Sequence, residues 1–312
     1  MRAAAQLTIG TFTPSLLLDV ARSTGRLERA GLDVRETPVT SSPAQFSALD
    51  AGELDIAITS PDNVLAYRFL SRNPLGKNLP VEIVAAIDRG LGLSLCTAPA
   101  VHDIEEVRGQ VVGVDVPQSG FAFVAFDLLE RAGLASGDYA VESLGSTPRR
   151  AAALIDGVCA ATVLNAGNEL RAEAAGCHVV SRVTDIGPYL GTVVAALATP
   201  DPATNDVRRR LVDALLETSR EILAGQWEAE VIDAAIRLLD LGEVEAVAHR
   251  DCLLDPARGL IGDGAVDEAS VSTLIELRRR HLPTPELDEV SSGWPSMLVG
   301  PARGDSPGSA HA

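Results

Sequence analysis

Polar side chains follow most of the predicted strands, and their chemistry suits the binding of a small molecule. Hydroxyl and amide groups at the first turn of a helix stand beside free backbone N–H groups, which attract anionic or polar ligand atoms. Aromatic rings in the same loops could stack on a ring-shaped ligand. The candidate ligand-binding residues are Thr11, Phe12, Thr13, Ser41, Ser42, Ser60, Asn63, Arg89, Gln118, Ser119, Phe121, Asn165 and Tyr189.

Each candidate also has a simpler interpretation. A serine at a helix start, such as Ser41 or Ser119, can act only as an N-cap. Arg89 is the one basic residue at these strand ends, and it could hold a carboxylate or sulfonate or pair with Asp88 or Asp62. With one arginine available, we expect a ligand of low charge. Because all of these residues follow strand ends, we expect them to lie together, and we interpret the whole set as ligand contacts.

The residues of the chain form no recognisable catalytic constellation. No Gly-x-Ser-x-Gly elbow follows a predicted strand, and no His-Glu-x-x-His or paired cysteine–histidine motif occurs. Cys177 and His178 are adjacent on a predicted strand and so point to opposite faces. His102, His249 and His281 are expected in surface helices or loops. The sequence therefore predicts no metal site and no cofactor, and it leaves enzyme activity open.

An alternation of strands and helices must position these residues. In the first 90 residues the pattern predicts strands over 7–11, 32–38, 54–59 and 81–88, separated by helices over 15–23, 43–51 and 62–70. This rhythm is typical of a parallel sheet with helices on its faces. Ligands of such sheets bind beyond the carboxyl ends of the strands, where the candidate residues lie.

A helix–glycine–strand segment occurs twice, over residues 48–60 and 153–165. In each copy a helix ends at a glycine, Gly52 or Gly157, and a short apolar strand follows. The repetition predicts two similar α/β lobes. We expect their strand ends, at Ser60 and Asn165, to face each other across one cleft.

The remaining predicted strands and helices complete the division of the chain into two lobes. Strands are predicted over 109–114, 139–144, 160–164 and 177–183, and a strand over 193–198 returns to the first lobe. Beyond residue 206 the chain is helical, notably over 207–224, 228–241 and 270–281. We therefore predict lobe 1 from residues 1–90 and 193–285, lobe 2 from 91–192, and a tail over 286–312 that is disordered at its end.

The acidic composition limits the partners. A net charge of -17 disfavours nucleic acids and anionic membrane surfaces, and no stretch is apolar enough for direct membrane insertion. The first residues already read as a strand, which predicts a cytoplasmic protein if Met1 is the natural start. A trimmed mature form would instead be periplasmic or extracellular. The four cysteines lie far apart, as buried free thiols of a reducing compartment do.

The chain resembles the type II periplasmic-binding-protein fold, within the group of sulfonate-, nitrate- and taurine-binding proteins and thiamine-pyrimidine-synthase-like proteins. The resemblance covers residues 6–285 and rests on the ordered segments 31–34, 46–57, 107–114, 128–134 and 152–157. One departure is Cys159-Ala160, where the second lobe usually has an aspartate after its glycine. The resemblance implies two α/β lobes joined near 88–95 and 186–193, which close over a ligand by a hinge motion.

The resemblance also implies a function. A substrate-binding protein of an ABC transporter would carry an aromatic or heterocyclic acid or a sulfonate, with a permease as partner if it is exported. A cytoplasmic lyase, decarboxylase or hydrolase on the same scaffold is the alternative, and a cytoplasmic ligand sensor is a third. The sulfinate desulfinases of this fold use a cysteine after the first strand, where this chain has Thr11, Phe12 and Thr13.

Overall fold

Two five-stranded mixed sheets form the centre of the molecule in the computed structural model, which describes residues 4–304. The first sheet has the order β2-β1-β3-β10-β4 and the second β7-β6-β8-β5-β9. The strands are β1 (Ala5–Thr11), β2 (Leu32–Pro38), β3 (Ile56–Thr59), β4 (Val81–Asp88), β5 (Ser94–Thr97), β6 (Val111–Val114), β7 (Ala140–Ser143), β8 (Ala161–Leu164), β9 (His178–Arg182) and β10 (Thr192–Leu197). The predicted two-lobed α/β class is confirmed.

Helices connect and cover these strands. They are α1 (Leu16–Ser23), α2 (Arg26–Arg29), α3 (Ser42–Asp50), α4 (Pro61–Phe69), α5 (Gly120–Arg131), α6 (Thr147–Ile155), α7 (Asn168–Ala174), α8 (Pro202–Leu223), α9 (Glu228–Leu239), α10 (Glu243–Leu254), α11 (Glu268–His281) and α12 (Leu287–Gly293). None of the helices in the described part of the chain combines the length and apolarity that crossing a membrane requires.

The sheet register explains why the chain passes between the lobes twice. β1 pairs in parallel with β2 and β3, and the chain leaves the first sheet after β4. It builds the second sheet from β5 to β9 and returns as β10, which lies antiparallel between β3 and β4. The crossings therefore run from Asp88 to Ser94 and from Arg182 to Thr192.

Local chemistry sets the helix ends that face the cleft. Ser15, Ser41, Ser60 and Ser119 each accept a hydrogen bond from a backbone N–H in the first helical turn. In the two copies of the helix–glycine–strand segment, Gly52 and Gly157 follow the ends of α3 and α6. Both take the left-handed conformation that ends a helix, with φ of 72° and 70°.

Aliphatic side chains supply most of the core. One buried cluster lies around α4, β4 and α5, and another lies between β1, α1, α8 and α9. Phe46 and Tyr67 stack face to face in the first cluster, with ring centroids 4.0 Å apart. Full burial of one such side chain contributes about 1.5–3 kcal/mol.

The C-terminal segment differs from the predicted tail. Residues 286–304 form α12 and two short 3-10 turns, and Leu287, Val290 and Met297 are buried against the first lobe. Leu287, Val290 and Met297 are spaced three and seven positions apart, and their burial orders the segment despite its Pro, Gly and Ser content. The part of the tail predicted to be disordered, beyond residue 304, lies outside the described residues.

Candidate functional site

A cavity of about 110 Å³ lies where the carboxyl ends of strands from both sheets meet. That volume is less than the ~150 Å³ of an apolar cavity that admits benzene, so it limits the ligand to a small molecule. Loops after β1, β3 and β4 form one side, and loops after β6 and β8 with the start of α6 form the other. Ser60 and Asn165, the strand ends of the repeated segment, line the same cavity.

The loop after β1 is held by a buried hydrogen-bond network. Glu36 on β2 accepts bonds of 2.7 Å from the Thr11 hydroxyl and from the backbone N–H of Ser15. The fully buried Gln45 on α3 donates from Nε2 to the carbonyl oxygens of Gly10 and Ile58, at 3.0 and 3.1 Å. Gln45 thereby joins the carboxyl ends of β1 and β3 and fixes the loop positions.

The start of α4 presents an amide and a hydroxyl to the cavity. Ser60 caps the helix by accepting from the backbone N–H of Asp62 at 3.3 Å. Asn63 donates from Nδ2 to the Thr59 hydroxyl at 3.0 Å, which orients its amide group. Asn63, Ser60 and Thr59 are all buried and line the cavity.

On the second lobe, a buried acid and a buried arginine line the cavity together. Asp115 follows β6 and accepts a hydrogen bond from the Ser119 hydroxyl. Burial raises the pKa of Asp115, while the charge of Arg150 and the bond from Ser119 oppose the rise. Arg150 is only 1% exposed. Burial lowers its pKa and the nearby Asp115 opposes the change, but an arginine side chain stays protonated in proteins.

The guanidinium of Arg150 is fixed in place but not saturated. It donates to the carbonyls of Gly145 and Val163, at 2.6 and 3.2 Å, and to the Thr147 hydroxyl at 3.2 Å. Its buried Nε–H has no partner among the described residues. A buried donor without a partner costs about 1–3 kcal/mol, and an anionic group able to reach this Nε–H would gain a charge-assisted hydrogen bond.

The rest of the wall is mainly apolar. Phe12 and Phe121 line the cavity, as do aliphatic residues of the first lobe and the first crossing: Leu16, Leu17, Ile58, Ile87, Leu91, Leu239, Leu253 and Leu260. His249 on α10 also lines it and is 1% exposed, whereas the sequence predicts a surface position. Burial lowers the pKa of His249 to about 4, so its imidazole is neutral at pH 7.

Asp88 forms the end of the cavity nearest the crossings. Its carboxylate accepts hydrogen bonds from the Gly90 backbone N–H at 2.8 Å and from the Thr192 hydroxyl. Burial raises the pKa of Asp88 to about 6, against the lowering effect of these bonds. The carboxylate therefore ties the start of one crossing to the end of the other.

Several contacts join the lobes around the cavity. Arg278 on α11 makes a bidentate ion pair with Asp62, at 2.8 and 2.6 Å, and donates to the carbonyl of Gln118 on the other lobe at 3.3 Å. Its guanidinium lies 4.9 Å from the ring centroid of Phe123. A Cβ atom on Gly120 would lie 2.6 Å from Cβ of Asp62, so this close approach requires glycine. The lobes therefore touch around the cavity, an arrangement that we call the closed form.

The structure brings together about half of the residues predicted from the sequence. Those that line the cavity are Thr11, Phe12, Thr13, Ser60, Asn63, Phe121 and Asn165. Arg89 does not line it and pairs with Asp267 at 2.9 Å instead. Ser41 and Ser119 serve as N-caps.

The other predicted residues lie away from the cavity for distinct reasons. Ser42 is buried within α3, and Gln118 is exposed and contributes its backbone carbonyl to Arg278. Tyr189 is 1% exposed and packs near Gly90 at the crossings.

Asp115, Arg150 and His249 are cavity residues that the sequence reasoning missed. A signal for Arg150 existed: Thr147-Pro148 opens a helix after a strand, and the residue three places after Thr147 lies on the same helix face.

One cluster elsewhere has ligand types that could suit a metal ion. Within the described residues, Asp127, Glu130 and His281 place possible ligand atoms within 4.8 Å of one another. However, Arg131 and Arg280 already pair with Asp127. Their two positive charges oppose a cation, so the cluster is best explained as an ion-pair network between α5 and α11.

Comparison with known proteins gives structural matches only: no family model and no curated protein sequence matches the chain. The alkanesulfonate-binding protein SsuA from Xanthomonas axonopodis pv. citri, bound to MOPS, has a TM-score of 0.71 at 14% identity, covering 92% of this chain and 96% of that one. The periplasmic nitrate-binding protein NrtA from Synechocystis PCC 6803 has a TM-score of 0.74 at 13% identity, with coverage of 95% and 86%. The fold is that of a type II periplasmic binding protein.

A third match has a different bound molecule. A cysteine mutant of DszB in complex with biphenyl-2-sulfinic acid has a TM-score of 0.61 at 14% identity and covers 93% of this chain and 95% of its own. At these identities the likeness shows the fold alone. The resemblance predicted from the sequence is confirmed at that level, and the function must be argued from the cavity.

Proposed function

We propose that the chain binds a small organic anion with one ring, a carboxylate or a sulfonate, in the cavity between its lobes, as the substrate-binding component of a transporter. The observation that carries this proposal is Arg150, a buried cation with an unpaired Nε–H in an otherwise largely apolar cavity. The matches to SsuA and NrtA, which are named for anionic ligands, support it.

The two parts of the ligand would meet different walls. The acid group would accept from Arg150, with the Ser60 hydroxyl and the Asn63 amide within the same cavity. The ring would lie against Phe12 and Phe121, where apolar burial contributes about 25 cal/mol per Å². Asp115 neutralises part of the arginine's charge, so a single negative charge suits the site better than two.

Calorimetry on the purified protein tests the proposal. We expect benzoate, benzenesulfonate or nicotinate to bind, and the uncharged benzamide to bind more weakly. Arg150→Lys keeps the charge but loses the planar donor group, and should weaken binding about 10- to 100-fold. Arg89→Lys is the matched control outside the cavity and should leave the affinity unchanged. Equal binding of benzamide and benzoate would contradict an anion site at Arg150.

An enzyme on the same scaffold is a second candidate, because two buried carboxyl groups with raised pKa values, Asp88 and Asp115, line the cavity. Chromatography of the calorimetry samples after prolonged incubation separates the two functions. Unchanged ligand supports binding without turnover, which is what the proposed transporter component with its permease partner requires. Loss of ligand that disappears in Asp115→Asn would establish the enzyme instead.

A further inference from the structure

Glu169 is a buried carboxyl group placed where the second lobe meets the helices of the first. It lies in the first turn of α7, which packs against the second sheet and against α10. Glu169 is 4% exposed, and its Oε2 atom has no hydrogen-bond partner among the described residues. A buried carboxyl with an unpaired oxygen is more stable neutral than charged, because no water or cation compensates the charge at that atom.

The crossing between the lobes touches this carboxyl directly. A Cβ atom on Gly92 would lie 2.6 Å from Oε1 of Glu169 and 3.5 Å from Sγ of Cys252 on α10. Gly92 belongs to the first crossing, so Glu169 is sealed between a hinge residue of one crossing and a helix of the first lobe. Rotation of the second lobe about the crossings would separate α7 from α10 and admit water to the carboxyl.

We propose that Glu169 couples lobe closure to proton uptake, so that alkaline pH opens the cavity. This inference rests on the proposed function, since it assumes that the lobes open and close over a ligand. In the closed form the carboxyl must be neutral to remain buried at low cost. In the open form, water solvates it and it ionises at an ordinary pH.

The groups around Glu169 favour a neutral carboxyl in the closed form. Burial, with a smaller contribution from the charge of Glu173, raises the pKa of Glu169 from an ordinary value of 4.5 to about 8. Arg258 and the backbone N–H groups of Glu169 and Gly167 oppose the rise. Arg258 is itself held by Asp255, with Nε 2.8 Å from Oδ2. The other titratable groups facing the carboxyl are Cys96, Cys252 and, beside Gly167, His249.

The sign of the pH dependence follows from these values. A carboxyl with a raised pKa in the closed form favours closure fully below pH 4.5, and that contribution is lost as the pH rises towards 8. His249 has the opposite effect between about pH 4 and 6.5, because burial lowers its pKa. Asp88 favours closure in the same direction as Glu169, but its contribution is lost by about pH 6 because its pKa is about 6. Asp115, whose pKa burial also raises, acts in the same direction as Glu169, and the Glu169→Gln variant separates the two contributions.

Small-angle scattering of the ligand-free protein at pH 6.5, 7.5 and 8.5 tests the proposal. In the wild type we expect the ratio of closed to open protein to fall about eightfold from pH 6.5 to 7.5 and about threefold from pH 7.5 to 8.5, because the closed form itself begins to lose the proton near pH 8. Glu169→Gln mimics the neutral carboxyl and should stay closed at every pH. Glu173→Gln, on the same helix but exposed, removes only the smaller effect of Glu173 on the pKa of Glu169, so it should open over nearly the same pH range as the wild type.

Two results would overturn the proposal: a wild-type radius of gyration that does not change with pH, or a Glu169→Gln protein that opens as the wild type does. A second measurement is independent of the size of the motion. Carbon-13 NMR of the glutamate carboxyls, with Glu169 assigned by its loss in Glu169→Gln, should show titration near pH 8. If the Glu169 carboxyl of the closed form titrated near pH 4.5 instead, the proposed coupling would also be refuted. Neither experiment uses a ligand, so their failure would leave the binding proposal standing.

Discussion

Replacing Arg278 with methionine would remove the cation that lies against both lobes. In the structure its guanidinium makes a bidentate ion pair with Asp62, donates to the carbonyl of Gln118 and lies over Phe123. The side chains of Arg278 and Asp62 are 3% and 1% exposed, so water does not screen the pair. Methionine preserves the length of the apolar stem and removes only the charge and the donors.

The expected loss can be built from these contacts. Removing one partner of a buried ion pair costs about 3–5 kcal/mol, because the other charge remains buried without compensation. Loss of the contact with Phe123 adds about 1 kcal/mol. We therefore expect Arg278→Met to lower the free energy of unfolding by about 4–6 kcal/mol, a large part of the 5–15 kcal/mol typical of a protein.

Urea denaturation followed by circular dichroism measures this change. Arg279→Met is the matched control, because Arg279 is the next residue of α11 and its ion pair with Glu276 is exposed at both ends, at 42% and 61%. We expect the control to change the stability by less than about 1 kcal/mol. Adding Asp62→Asn to Arg278→Met should recover part of the loss, since no charge is then left unpaired. Equal effects of the two arginine replacements would refute this reasoning.

Three further predictions concern the site and its support. Gln45→Leu should lower the free energy of unfolding by about 2 kcal/mol or more, because two buried carbonyls lose their donor; the exposed Gln110→Leu is the control in the same urea assay. Gly120→Ala should weaken ligand binding in calorimetry at least tenfold, because its Cβ would meet Asp62 and hold the lobes apart; unchanged affinity would show that closure tolerates the contact. A thiol reagent at pH 8 should modify no cysteine of the native protein but all of them in urea, since burial raises the pKa of each thiol; rapid labelling of the native protein would contradict the described burial of Cys96, Cys159, Cys177 and Cys252.

The sequence predicted the elements with strong local signals. Glycine at a helix end followed by an apolar run located β3 and β8, and the rule that ligands bind beyond strand ends located the cavity. The helical prediction beyond residue 206 gave no bounds for α10, because its buried face carries Ala246, His249 and Cys252, while Val244 is 78% exposed. Its residues therefore show no regular apolar stripe.

The helix start at Thr147 marked the position of Arg150, but the burial of its side chain could not be predicted, because its environment comes from distant residues. Asp115 lies 35 positions earlier in the chain, and the carbonyl of Val163 lies on the next strand. Arginine is expected at the surface unless it is paired, so a sequence pattern alone favours an exposed position. Arg89 seemed the better candidate because it directly follows a strand, but Asp267 on the far C-terminal side of the chain holds it away.

The position of β10 has a consequence for how the chain assembles. β10 closes the gap between β3 and β4, which are strands completed more than 100 residues earlier in synthesis. The second lobe, by contrast, is one continuous stretch from β5 to β9 and has all its strands before β10 is made. The later lobe in sequence should thus fold first, while the first lobe waits with two unpaired strand edges, which are the surfaces most prone to aggregation.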